Sequence, residues 1–116
     1  MFTDCLQIEQ RNKLVIVTIS AREMTGMDMQ ELVTDLIQRM RCNNARYFVL
    51  DMSEVELIAS ECLGSLVMFL RDIEPQHGRI ALANCRPNVT FLFKVTRLDA
   101  VFELHDDVET ACRAIT

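Results

Sequence analysis

Tryptophan is absent from this 116-residue chain, and aromatic residues make up only 6% of it. Burial must therefore come mainly from aliphatic side chains, within a hydrophobic share of 50%. Glycine is scarce, with Gly26, Gly64 and Gly78 far apart. They cannot form a Gly-x-Gly-x-x-Gly fingerprint or a Walker loop, which removes the usual phosphate-cradling turns. No cluster of Lys or Arg is dense enough to neutralise a run of phosphates, and the formal net charge is −5. Nucleic-acid binding is disfavoured on that ground. No stretch approaches the roughly 18 apolar residues that span a bilayer. The opening "MFTDCLQIEQ" lacks the basic-then-apolar order of a signal peptide. A cytoplasmic protein without direct membrane insertion is expected.

Cysteine is better represented, at Cys5, Cys42, Cys62, Cys85 and Cys112. The number is odd, no pair forms Cys-x-x-Cys, and neither histidine lies near a cysteine in sequence. A zinc site or disulfide framework is disfavoured, and no metal or cofactor is expected. Each thiol reads as a small buried hydrophobe in a reducing compartment. A chain of this length buries roughly 65% of its unfolded surface, so it needs no covalent staple. One domain over residues 1–116 is expected.

Periodicity supplies the elements. "KLVIVTIS" (13–20) is β-branched and reads as a strand, preceded by an edge strand over 2–9. Met29, Leu32, Val33, Leu36, Ile37 and Met40 follow a helical stripe. That helix is predicted over 28–41, with Asp28 as cap and Glu31 completing a capping box. "YFVL" (47–50) is a continuous apolar run of the kind buried on both faces in parallel sheets. A second helix is predicted over 61–74, with Ser60 as N-cap and Pro75 as the stop. A turn at His77-Gly78 leads into a strand over 80–83, and Pro87 opens a helix over 87–95. A short strand over 101–104 and a final helix to 114, capped by Asp106, complete the chain. Strands separated by helices imply a small α/β fold, with a single mainly parallel or mixed sheet of four to five strands and about four helices.

Catalytic arrangements are weak. Cys62 near a helix start could have a lowered pKa and pair with His77 or His105, but no oxyanion hole or orienting group lies near it in sequence. Glu54 with Glu56, and Asp106 with Asp107, read as solvated loop or cap residues. A non-catalytic binding module is the reading that the residues favour.

At the strand-to-helix junction, "YFVLDMSEVELIASECLGSLVMFL" resembles the STAS domains of bacterial anti-sigma factor antagonists. Their pattern is an apolar strand, Asp-x-Ser, then Asp-Ser-Ser-Gly-Leu-Gly opening a helix. Asp51, Met52, Ser53, Ile58, Ser60, Leu63 and Gly64 stand at matching spacing. "RIALANCRPNVTFLFKVTRLDAVFEL" is similar to the family's later strand, Pro-containing helix and Leu-Asp-x-x-Phe ending, with Leu98, Asp99 and Phe102 in register.

The resemblance implies docking to an anti-sigma, serine-kinase-like protein that phosphorylates the second serine of Asp-Ser-Ser-Gly. That position is Glu61 here. Ala59 stands for the Asp, Cys62 for the Gly, and Met24 for an acidic residue closing an earlier segment. Glu61 cannot accept phosphate, so the usual switch is lost or altered, with Ser60 as an alternative phosphosite. The expected partner surface comprises Met24, Asp51, Ser53, Ser60, Glu61, Cys62 and Ser65, with Met24, Met27 and Met52 as an apolar collar. Homodimerisation is open. Two other classes remain: a soluble STAS subunit of a lipid or anion transporter, and a small-molecule or nucleotide sensor.

Overall fold

Residues 48–50 and 80–83 are buried without a break, so the centre of the sheet is covered on both faces. The computed structural model describes residues 2–116, without the side chain of Thr3. Met1, the first residue of the expected 1–116 domain, lies outside them. The strands are β1 (Leu6–Arg11), β2 (Leu14–Ile19), β3 (Glu23–Met24), β4 (Tyr47–Asp51), β5 (Leu57–Ile58), β6 (Arg79–Ala83) and β7 (Glu103–His105). The helices are α1 (Gly26–Cys42), α2 (Glu61–Ile73), α3 (Pro87–Val95) and α4 (Val108–Ile115).

The main sheet runs β1-β2-β4-β6-β7, with β1 antiparallel to β2 and every other neighbour parallel. This is the expected small α/β fold. Val15, Val17, Phe48, Leu50, Ile80 and Leu82 enter one core with residues of α1, α2 and α3, including Leu32, Leu66 and Phe93. The intervening Val49, Ala81 and Ala83 face the other side and pack with Ala111 and Ile115 of α4. Small side chains on β6 let that helix approach closely. Edge-to-face rings lock the larger core, Phe48 on Phe69 at 5.1 Å and Phe93 on Phe102 at 5.8 Å.

Several boundaries differ from expectation for local reasons. Thr25, not Asp28, caps α1. Its side chain accepts from the Asp28 amide while the Asp28 carboxylate accepts from the Thr25 amide, at 3.1 and 2.9 Å. Asp107, not Asp106, caps α4, accepting from the Thr110 amide at 2.7 Å. A 3-10 turn over Phe2–Cys5 displaces the edge strand toward residue 11. The last strand likewise begins later, at Glu103, because a 3-10 turn occupies Leu98–Ala100. Leu57 and Ile58 form a further short strand outside the main sheet. They pair in parallel with Glu23 and Met24 as a separate two-stranded ladder, and Leu57 is 49% exposed.

Candidate functional site

The parallel strands β2 and β4 end at Ile19 and Asp51, where the chain crosses into the ladder of β3 and β5 and then enters α1 and α2. The loop after β4 is held in place rather than left free. Oδ1 of Asp51 accepts from the Ser53 amide and from Nδ2 of Asn84, each at 3.1 Å. Arg86 donates from Nε to the Ser53 carbonyl at 2.8 Å. Ser20 donates to the Glu54 carboxylate at 3.2 Å. Asp51 and Ser53 thus shape the loop, and the partners that fix it, Asn84 and Arg86, carry no signal in the linear sequence.

The loop delivers Ser60 and Glu61 to the start of α2, both exposed. Ser60 occupies the N-cap position with helical backbone angles, φ −60° and ψ −28°, and its hydroxyl makes no capping bond. The expected cap is therefore replaced by backbone. The amides of Cys62 and Leu63 donate to the carbonyls of Ala59 and Ser60 at 2.9 and 3.1 Å. Glu61 is the first residue of α2 and lies against Gly26, the first residue of α1. A Cβ on Gly26 would stand 2.8 Å from Cβ of Glu61 and 3.8 Å from its Oε2. The positive ends of two helix dipoles meet at one carboxylate, which favours negative charge there. Among the described residues no Lys, Arg or His forms an ion pair with Glu61.

Two expected contact residues present no side chain to a partner. Met24 is 2% exposed and Cys62 is fully buried. The Cys62 thiol lies 3.2 Å from the Thr25 carbonyl and 3.5 Å from that of Met24, tying the start of α2 to the entry of α1. The methionine collar is corrected likewise: Met52 is fully buried, whereas Met27 is 73% exposed. Burial pushes the Cys62 thiol up, with Asp28 and Glu61 adding in the same direction. That is opposite to a thiolate nucleophile. His77 sits beyond the far end of α2, roughly 20 Å along the helix axis from Cys62. His105 pairs instead with Glu103 at 3.3 Å. No group of three or more metal-ligating residues gathers among the described residues.

Ser65 stands one turn beyond Glu61 on the wall of an open furrow of about 480 Å³ between α1 and α2. Val33 and Ile37 line it from α1, and Glu61, Gly64 and Met68 from α2. At Gly64 a Cβ would meet nothing within 4 Å. A glycine inside a helix costs about 1 kcal/mol relative to alanine, and no internal packing here requires one. The furrow escaped sequence reasoning because it needs two helices side by side. The cap pattern Thr25-x-x-Asp28 was readable.

Comparison with known proteins agrees with this architecture. The STAS domain family model matches residues 6–111. The anti-sigma-factor antagonist (STAS) domain protein from Planctomyces limnophilus superposes with a TM-score of 0.79 at 19% identity, covering 96% of this chain and 97% of that one. The Bacillus anti-sigma factor antagonist SpoIIAA, in its unphosphorylated form, gives a TM-score of 0.82 at 16% identity, covering 95% of both chains. The murine anion transporter Slc26a9 contains the same fold, with a TM-score of 0.73 at 14% identity, over 92% of this chain and 18% of the transporter. No helix among the described residues is long and apolar enough to cross a membrane. With its five-stranded sheet, its helices and the family pattern over residues 6–111, the chain belongs to the STAS domain family.

Proposed function

We propose that this STAS domain acts by protein–protein contact, in the manner of an anti-sigma factor antagonist, through the exposed start of α2. Ser60, Glu61 and Ser65 form the contact surface. Asp51 and Ser53 shape the loop leading to it, and Met24 and Cys62 hold it from beneath. The partner is an anti-sigma, serine-kinase-like protein in the cytoplasm. Glu61 occupies the position of the family's phosphorylatable serine, so docking is independent of phosphorylation at that position. A phosphoserine brings about −1.5 to −2 charges and three acceptor oxygens, whereas a glutamate brings one charge and two oxygens. Glu61 is therefore an incomplete copy of the phosphorylated state.

The observation that carries this reading is the exposed Glu61 carboxylate at the meeting of two helix starts, with no cation paired to it among the described residues. It is tested by measuring the affinity of the kinase-type partner for wild type, Glu61→Lys, Ser60→Trp and Ser65→Trp. Each variant is expected to weaken binding at least tenfold, about 1.4 kcal/mol. Unchanged affinity across all three overturns the reading. The fold shared with Slc26a9 favours a second reading, a STAS subunit of a membrane transporter. Co-fractionation with membrane ATPase subunits, in place of a kinase, selects it.

A further inference from the structure

The furrow between α1 and α2 continues past Ser65 along the whole of α2. Ile37 and Asp72 line both its first part and a second hollow bounded by Met40, Arg41 and Arg46. The two helices run parallel, since Gly26 meets Glu61 at one end and Arg41 and Gln76 share the hollow at the other. Its walls are apolar at Val33, Ile37 and Met68, and Met68 is 57% exposed. Its charges are sorted by end. Glu61 stands alone at the start, while Arg41 and Arg46 outnumber Asp72 at the finish. Arg46 is partly committed, donating to the carbonyls of Met40 and Ala45 at 3.0 and 2.7 Å. Arg41 is exposed and makes no ion pair among the described residues.

We propose that this furrow seats an amphipathic helix of the partner protein, antiparallel to α1 and α2, with its apolar stripe over Gly64 and Met68. The inference deepens the docking reading above and rests on it for the class of partner. Two helices side by side offer a groove into which the ridge of a third helix packs. The missing side chain at Gly64 lets that helix come closer than any other residue would allow. A helix most readily carries acidic residues in its first turn and basic residues in its last. Basic residues meet Glu61 and acidic ones meet Arg41 only when the occupant runs antiparallel. The 13 residues of α2 span about 20 Å, which sets the occupant at three to four turns.

The test uses the isotope-labelled chain and two synthetic helical peptides of about 14 residues. Both carry the same leucine stripe, one with Glu in the first turn and Lys in the last, the other reversed. The first peptide is expected to give saturable NMR shifts centred on Val33, Ile37, Gly64 and Met68, with the reversed peptide about tenfold weaker. Gly64→Leu, at a site with free space around it, folds normally and abolishes both responses. Gly64→Ala raises Tm by about 4 °C yet weakens binding. Shifts that fail to saturate, equal binding of the two peptides, or a response centred on Phe91 and Val95 of α3 overturns the assignment. Furrow resonances that move with protein concentration alone also overturn it, because the occupant is then a second copy of this chain. Lost polarity preference with a partner still sensitive to Glu61→Lys overturns the furrow alone. Intact preference with a partner insensitive to Glu61→Lys overturns the docking reading alone.

Discussion

Glu61 and Gly26 are coupled by contact, so a single methyl group should report on the site. Gly26→Ala places a Cβ 2.8 Å from Cβ of Glu61, and one of the two helix starts must move. A loss of about 1–3 kcal/mol is expected from such overpacking. Most of it should vanish in the Glu61→Gly background, where that atom is gone. A double-mutant cycle by urea denaturation checks this; additive losses contradict the contact. The two helix starts also differ in their caps. Thr25→Ala should cost about 1 kcal/mol by removing half of a capping box, whereas Ser60→Ala should cost under about 0.5 kcal/mol, since its hydroxyl caps nothing. Equal losses in thermal unfolding would mean Ser60 caps after all. Residue identity alone suggested the opposite at position 60, because Ser before an apolar helix is a strong cap signal. The signal failed because Ser60 already has helical backbone angles, whereas a capping hydroxyl needs an extended residue.

At the scale of elements, α2 and α3 were legible from the prolines that stop one and open the other, α1 from its apolar stripe, and β4 and β6 from unbroken apolar runs. The stripe and the runs follow directly from burial on one helix face or on both strand faces. The ladder of β3 and β5 was not legible, since two residues carry no period and its pairing joins positions more than thirty apart. That ladder matters because it brings the entry of α1 beside the entry of α2. The candidate residues Ser60 and Glu61 could be named from the family pattern, while their neighbour Gly26 could not. Met24 and Cys62 were misplaced on the surface because a residue flanking an exposed loop can still point inward. Gly64 was visible only as a motif match; its free space is a property of two packed helices. Gly64→Ala is expected to stabilise the isolated protein by about 1 kcal/mol, measured by urea unfolding. A loss of stability there would mean that the position is crowded after all.

At the scale of the whole molecule, two thiols shielded from water, Cys62 buried and Cys85 half-buried, set an alkaline limit. Burial pushes the Cys85 thiol up to about 11 and raises that of Cys62. Unfolded thiols titrate near about pH 8.5, so above that value the folded chain retains protons that the unfolded chain has released. Stability is intact below that pH and falls as pH rises toward the folded values. Cys85→Ala should flatten part of this decline in pH-dependent urea unfolding, and an unchanged slope would contradict it. Function makes a sharper demand, because the whole domain is read as a docking module whose serine switch is replaced by Glu61. The most direct measurement incubates the kinase-type partner and ATP with wild type and with Glu61→Ser, then locates phosphate by mass spectrometry. The account predicts phosphate on residue 61 of the variant, followed by its release, and an unphosphorylated wild type that stays bound with or without ATP. Phosphate on Ser60 of the wild type, with ATP-dependent release, would contradict it.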